Sequence, residues 1–318
     1  MEIRKAIDAY LDYCEGIRRL DHKTIKAYRC DLLQFAEWLE YYHASRGEEG
    51  QDPTEAYIRH LNEQYRPKSV RRKAAAVRAF VRRMGAQAEE LAPFAMMEIH
   101  AREPKELPRT VRNEDLRKML RRAQAELTDA KGVSPHSTFI AARALAMIEL
   151  LVATGMRISE LCALNNDDVD LYGRTLRIMG KGSRERVVQL ECQATLDAVW
   201  GYLAARNAYF AEARTHGESQ RLFVNRDGAP LTDHVARLAI EQLGERACAS
   251  AHVTPHMVRH TFATLLLEQD VDIRFIQRLL GHSSIRTTEI YTHVSSAKQR
   301  EIMRTKNPRT FIDGSRNG

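Results

Sequence analysis

Residues 254–284 read TPHMVRHTFATLLLEQDVDIRFIQRLLGHSS, and their pattern predicts helices in the C-terminal part of the chain. Thr254 suits the N-cap of a helix and Pro255 suits its first turn. On that helix His256 and Arg259 are three residues apart, so their side chains share a face and can converge on one ligand. The stretch therefore predicts helical structure that presents a histidine and an arginine together.

The N-terminal third is also predicted to be helical, because apolar residues recur there at the helical period and no strand pattern is found. One helix carries Ile25, Tyr28, Leu32, Phe35 and Leu39. A second helix carries an apolar stripe of Val70, Ala74, Val77 and Val81. A small helical bundle is expected.

The side of the second helix opposite its apolar stripe is basic, and no acidic residue interrupts residues 66–83. Solvated helix faces usually mix both signs, since acids relieve the repulsion between like charges. We therefore predict that this face contacts DNA phosphates; the alternatives are a solvated face and pairing with acids elsewhere in the fold. The predicted DNA-binding residues are Lys68, Arg71, Arg72, Arg78 and Arg82, with Arg83 on the same side.

A linker is predicted at residues 101–110, AREPKELPRT, where two prolines stand among charges. It separates a helical domain at residues 1–100 from a second domain at residues 111–318. A length of 318 residues also favours two domains.

The second domain is predicted to be mainly helical with a small sheet. Asn113 is the expected N-cap of its first helix, and residues 131–138, KGVSPHST, are expected to be a surface loop. Residues 175–190, TLRIMGKGSRERVVQL, alternate apolar and polar positions on both sides of Gly180, which predicts a β-hairpin. The fold class is therefore mainly α with a small antiparallel sheet.

Composition narrows the classes of function. The formal net charge of +7 favours a polyanionic partner, although only weakly for a chain of this length. Five cysteines without paired CxxC spacing indicate reduced thiols in a cytosolic compartment. The start MEIRKAIDAY lacks an apolar signal region, and no run of 18 apolar residues occurs, so a soluble, unexported protein is expected.

Several polar residues could carry chemistry, but each has a structural alternative. Arg157 follows an apolar helix and needs an anionic partner, either Glu160 or a phosphate. His260 lies four residues after His256, which invites a zinc site, but Met257 stands where the metalloprotease pattern needs glutamate. The remaining candidates are Lys181 between two glycines, His282 after a helix-ending glycine, and Tyr291 on an amphipathic segment.

Taken together, ATGMRISEL, GKGSRERVVQL, the stretch quoted first and RTTEIYTHV closely resemble the tyrosine recombinase (phage integrase) family, especially its Xer-type members. The resemblance covers roughly residues 107–294 and is weaker in the N-terminal part. It implies a two-domain clamp, with a SAM-like core-binding domain and a catalytic domain with a C-terminal tail. Departures are Gln189 in place of a frequent proline and Asp270 in place of a helix-ending glycine, so the loop at Asp270 is expected to differ.

The family's catalytic positions map onto Arg157, Lys181, His256, Arg259, His282 and Tyr291, with Glu160 in support. The resemblance implies that Tyr291 attacks a DNA phosphate and forms a 3′-phosphotyrosyl link. The two arginines would hold the phosphate oxygens. His256 would take the phenol proton, and Lys181 would protonate the leaving 5′ oxygen. No metal and no nucleotide cofactor are expected.

The implied partners are double-stranded DNA with a specific recombination site and a homo- or hetero-tetramer on two duplexes. The tail after Tyr291 is expected to dock on an adjacent subunit or to fray. The implied location is the cytoplasm, on the nucleoid, with no membrane. Rival functions are a type IB topoisomerase, a DNA-binding regulator without activity and a zinc hydrolase. Chromosome-dimer resolution, mobile-element integration and cointegrate resolution remain alternatives.

Overall fold

The computed structural model describes residues 3–44, 52–85, 90–98, 109–180, 185–212, 219–281 and 296–312. The chain divides into two compact units, Met1–Glu106 and Leu107–Gly318. Each unit is built around its own cluster of buried apolar side chains, so each is described separately.

The N-terminal unit is helical throughout its described residues. Its helices are α1 (Ile3–Gly16), α2 (His22–Ala44), α3 (Pro53–Gln64), α4 (Pro67–Met84) and the short α5 (Ala92–Ala95). Proline starts α3 and α4, where the missing N–H costs no helical hydrogen bond. The side chain of Asp52 caps α3 by accepting from the Thr54 N–H.

The core of this unit confirms the predicted apolar stripes. Leu32 and Phe35 from α2 and Val70, Val77 and Phe80 from α4 are all 0% exposed. Rings of Phe35, Trp38, Tyr57 and Phe94 pack mostly edge-to-face around them. The 3.6-residue period thus fixed which side of each helix is buried.

The C-terminal unit is mainly helical with a three-stranded antiparallel sheet in the order β1-β2-β3. The first part holds α6 (Asn113–Ala130), α7 (Pro135–Thr154), α8 (Ile158–Ala163), a 3₁₀ turn (Asn166–Asp168), β1 (Val169–Asp170), β2 (Thr175–Met179) and β3 (Glu185–Gln189). The second part holds α9 (Gln193–Glu212), α10 (Asp233–Arg246), α11 (Pro255–Glu268), α12 (Ile273–Leu280), α13 (Ser296–Thr305) and α14 (Pro308–Ile312). Strands β2 and β3 form the predicted hairpin, and β1 is a strand that the sequence analysis missed.

Helix α7 is the central helix of this unit. Its residues from Leu145 to Thr154 are buried on every side of the helix, against α6, α9, α11 and α14. By length and composition α7 is the one described helix that could span a membrane, but 67% of its apolar 18-residue stretch is buried inside the protein. A core helix of a globular unit passes the same test, so α7 is weak support for a membrane segment.

Three local expectations are corrected. Asn113 is the first residue of α6 and Arg112 is its N-cap. Helix α7 already begins at Pro135, capped by the Ser134 hydroxyl, so the predicted loop at 131–138 shrinks to 131–134. Asp270 adopts φ +55, the left-handed conformation of the glycine it replaces, so the loop keeps that backbone form.

The C-terminal tail packs on its own chain. Helix α14 contacts α6, α7 and α11, and Ile312 is 1% exposed. The Asn307 side-chain amide donates to the Ala153 carbonyl at 3.1 Å, at the end of α7. As far as Ile312, the described tail thus packs on the C-terminal unit of its own chain, and its docking on an adjacent subunit stays a prediction.

Candidate active site

Arg157 is placed by the sharp end of α7. Gly155 ends that helix with φ +61, and a Cβ there would lie 2.4 Å from Phe262 Cδ1, so only glycine fits. Two residues later Arg157 is the N-cap of α8. Its backbone N–H donates to Glu160 Oε2 at 2.9 Å and its Nη1 donates to Glu160 Oε1 at 2.7 Å. Its side chain is 35% exposed, which leaves the guanidinium accessible from solvent.

Arg259 is held by main-chain carbonyls. It lies on the buried side of α11 and is 4% exposed. Its Nη1 donates to the Gly155 carbonyl at 2.9 Å, and its Nη2 donates to the Leu280 carbonyl at 2.6 Å. Each carbonyl lies at the C-terminal end of a helix, where the helix dipole attracts a cation. The end of α7 therefore positions both arginines, because Arg157 lies only two residues after Gly155, whose carbonyl accepts from Arg259.

Arg186 is a third arginine of this cluster, and the sequence analysis missed it. It lies on β3 opposite Ile178, and its side chain is 11% exposed. Its Nη2 and Nη1 donate to the two carboxylate oxygens of Glu160 at 2.7 and 3.2 Å. The alternating sequence of β3 did not indicate that Arg186 points inward, because a basic residue in such a strand is expected on the solvent side.

The electrostatics of the cluster are dominated by positive charge. Burial first, and then the nearby charge of Arg157, lower the pKa of Arg259 to about 10, and Glu160 only partly offsets this. Burial alone would raise the pKa of Glu160, but hydrogen bonds from Arg186 and Arg157 hold it below its ordinary value. One ionised carboxylate thus lies among three guanidinium groups, which is an arrangement suited to binding an anion.

His256 and His260 lie one turn apart on α11. His256 is exposed, and its ring meets that of His260 edge-on at 4.9 Å between centroids. Burial, and then the charge of Arg259, lower the pKa of His260 below its ordinary value. No group of three potential metal ligands occurs in the described part of the chain. Of the predicted catalytic residues, His256 and Arg259 therefore lie on the same helix, about one turn apart.

The other predicted catalytic residues, Lys181, His282 and Tyr291, lie outside the described residues. The described chain reaches both sides of Lys181, at Met179 on β2 and Glu185 on β3, and reaches Gly281 before His282. A Cβ at Gly281 would lie 3.0 Å from Arg186 Nη1. Of the six positions, the structure therefore describes Arg157, His256 and Arg259, and their assignment stays a prediction.

Arg72, Arg78 and Arg82, on the basic side of α4, have partners within the N-terminal unit. Arg72 pairs with Asp31, which is 0% exposed and also binds Lys73 Nζ at 3.1 Å. Arg78 Nη1 donates to the Met97 carbonyl at 2.8 Å, and Arg82 Nε donates to the Ala95 carbonyl at 3.1 Å. Lys68 and Arg71 are exposed. The alternative of pairing with an acid elsewhere in the fold thus applies to Arg72.

Comparison with known proteins identifies the family. Residues 109–298 match the family model described as phage integrase family, and residues 7–86 match the one described as phage integrase, N-terminal SAM-like domain. A tyrosine recombinase of Agathobacter rectalis is 41% identical over 304 residues, covering 95% of this chain and 96% of that protein. Tyrosine recombinase XerC of Bacillus subtilis is 32% identical over 317 residues, covering 97% and 98%.

Solved structures give the same result. The XerH site-specific recombinase bound to difH substrate has a TM-score of 0.64 at 25% identity, covering 90% of this chain and 82% of that one. A lambda integrase dimer (residues 75–356) bound to a COC′ core site has a TM-score of 0.59 at 15% identity, covering 93% and 100%, which shows the fold alone. The chain belongs to the phage integrase family of tyrosine recombinases and is a site-specific recombinase of the Xer type. The predicted family, fold class and enzyme class are confirmed.

Proposed function

We propose that this chain cleaves and rejoins double-stranded DNA at a specific site through a covalent bond between Tyr291 and a 3′ phosphate. The observation that carries the proposal is the cluster of Arg157 and Arg259, with excess positive charge, at the end of α7. Two forked guanidinium groups can each donate to a non-bridging oxygen of one phosphate, which lysine cannot do in the same geometry. They would stabilise the charge of the pentavalent transition state.

The bond changes balance without an added reactant. The Tyr291 oxygen attacks phosphorus, its proton passes to His256, and the bond from phosphorus to the 5′ oxygen breaks. Lys181 protonates that oxygen to give a 5′-hydroxyl, and His282 donates a hydrogen bond to the phosphate. Attack by a 5′-hydroxyl on the phosphotyrosyl bond reverses the steps and rejoins the DNA. The energy of the broken bond is kept in the phosphotyrosine, so no nucleotide needs to be hydrolysed. The two arginines would supply the charge stabilisation that a metal ion gives in other phosphoryl-transfer sites.

The proposed partner is DNA carrying a recombination site, and the acting species is a tetramer, of this chain alone or with a second recombinase. Among the structures of similar fold is a lambda integrase tetramer bound to a Holliday junction. Exposed Lys68 and Arg71 on α4 would add phosphate contacts from the N-terminal unit. The proposed place of action is the cytoplasm, on the nucleoid, and the proposed roles are chromosome-dimer resolution or the movement of a mobile element.

The test traps the covalent intermediate on DNA. Wild-type protein is incubated with sheared genomic DNA of its source, and with nicked duplexes built from any captured site, so that the cleaved end diffuses away. We expect a covalent adduct that survives denaturation, whereas Tyr291→Phe binds the same duplex and forms none. Adduct formation by Tyr291→Phe would contradict the proposal. So would loss of the wild-type adduct when metal ions are chelated.

A second arm separates recombination from relaxation. A supercoiled plasmid that carries two copies of the captured site should yield recombinant products, and one that carries no site should keep its supercoils. Relaxation of the plasmid without a site would indicate topoisomerase action instead.

A further inference from the structure

The position of Arg186 in the sheet is unusual for a charged residue. Along β2 and β3 the inward side is formed by Leu176, Ile178 and Val188, each 0% exposed, and Arg186 continues that side because it pairs with Ile178. A guanidinium at such a position is costly unless an anion accompanies it. Its Nε is buried and has no hydrogen-bond partner within the part of the chain that the structure describes.

Glu160 supplies the anion, and the same carboxylate serves two arginines. Oε1 accepts from Arg157 Nη1 at 2.7 Å and from Arg186 Nη1 at 3.2 Å. Oε2 accepts from the Arg157 backbone N–H at 2.9 Å and from Arg186 Nη2 at 2.7 Å. The Glu160 side chain is 6% exposed, so its orientation is set by these donors and not by water.

Among the described residues, the Arg157 side chain has a single hydrogen-bonding partner, Glu160. Its side chain is 35% exposed, three times as much as that of Arg186, and its Nη1 rests on Glu160 Oε1. A carboxylate that could rotate would let the Arg157 guanidinium rotate with it, since one hydrogen bond does not fix a planar group. The paired bonds from Arg186 hold the carboxylate in one plane.

We propose that Arg186 is a positioning residue of the active site, which fixes the guanidinium of Arg157 by holding the shared carboxylate of Glu160. The inference rests on the proposed function of Arg157 as a phosphate ligand. Arg186 acts through Glu160 and does not touch the substrate. Because Arg186 lies on β3 and Glu160 on α8, their ion pair also links the hairpin to the first turn of α8.

The first experiment compares Arg186→Gln and Arg186→Lys with the control Arg177→Gln. Arg177 is the neighbouring arginine on β2, pairs with Asp168 and is 46% exposed. Single-turnover cleavage of the trapping duplex, the dissociation constant for that duplex and the thermal midpoint are measured. We expect Arg186→Gln to slow cleavage about 10–100-fold with DNA binding within about threefold of wild type. Arg186→Lys should lose less, and Arg177→Gln should cleave as wild type.

The second experiment is a double-mutant cycle that a purely structural role would not satisfy. In an Arg157→Lys background, Arg186→Gln should slow cleavage by less than about threefold, because the group that it positions is gone. In an Arg259→Lys background the 10–100-fold loss should persist. If Arg186→Gln fails to fold, Arg186→Lys is carried through the same cycle.

The outcomes separate this inference from the function on which it rests. Failure of the wild type to form the adduct would remove the proposed function. An active wild type with an equally active Arg186→Gln variant overturns the positioning role alone. The positioning role is also overturned if Arg186→Gln slows cleavage as much in the Arg157→Lys background as in the wild type. It is overturned as well if the variant cleaves at the wild-type rate at temperatures below its thermal midpoint.

Discussion

Arg309 and Glu149 form a buried ion pair in which Nε and Nη2 of the arginine donate to the two carboxylate oxygens, each at 2.7 Å. Their side chains are 5% and 4% exposed, and the Thr195 hydroxyl also donates to Glu149 at 3.0 Å. The pair joins α14, near the end of the chain, to the central helix α7. The packing of the tail on its own unit therefore depends on charge as well as on apolar contact.

Arg309→Ala should destabilise the C-terminal unit by about 3–5 kcal/mol, because it leaves the Glu149 carboxylate buried without its partner. The measurement is urea unfolding followed by circular dichroism. Arg304→Ala, on the exposed side of α13, is the control and should cost less than about 0.5 kcal/mol. Equal stability of Arg309→Ala and wild type would show that the pair is not formed.

Arg259→Lys should slow covalent cleavage by about 10²–10³-fold, because an ammonium cannot donate to two carbonyls and to a phosphate from one plane. DNA binding should change little. Cleavage is measured on the trapping duplex, with Arg237→Lys on the exposed side of α10 as the control. A variant that cleaves within threefold of wild type would exclude a role in the transition state.

Gly155→Ala should destabilise the C-terminal unit by about 1–3 kcal/mol, because the new Cβ would meet the Phe262 ring. Gly132 also has a positive φ, +85, but a Cβ there would meet nothing within 4 Å. Gly132→Ala therefore measures the backbone cost alone. If the two variants unfold at the same urea concentration, the steric part of the prediction is wrong.

The pH dependence of stability should include a contribution from Asp115. Hydrogen bonds from Arg112, with one from the Ser250 hydroxyl at 2.6 Å, lower its pKa from 3.8 to about 2. Because the folded pKa is the lower one, this stabilisation is present above pH 3.8 and is lost as the pH falls towards 2. Urea unfolding of wild type across that range should lose on the order of 2 kcal/mol more than Asp115→Asn. If the unfolding free energies of the two proteins change in parallel with pH, the ion pair of Asp115 with Arg112 does not contribute to stability.

Lys68→Ala should weaken DNA binding for all sequences and reduce the salt slope of log Kd by about 1, since it removes one phosphate contact. Binding is measured from low to moderate salt, with Lys118→Ala as the control. Lys118 lies on α6 and pairs with Glu114 at 3.2 Å. An unchanged slope would remove Lys68 from the interface.

Periodicity was enough to predict the helices and the hairpin, because burial on one side leaves a pattern in the sequence. It could not predict the inward direction of Arg186, since a strand register one residue away would point the same arginine to solvent. The capping preference of asparagine placed the N-cap at Asn113, although Arg112 takes that position, because both residues precede the same acidic turn. The partner of Arg309 is 160 residues away in sequence, and no local pattern reports such a pairing.

Two acceptors of Arg259, the carbonyls of Gly155 and Leu280, belong to the main chain. Every amino acid supplies that oxygen, so exchanging Leu280 for another apolar residue removes neither acceptor. The orientation of the Arg259 guanidinium thus depends on the course of the backbone. It tolerates substitution of the surrounding side chains as long as α7 and α12 end at the same residues.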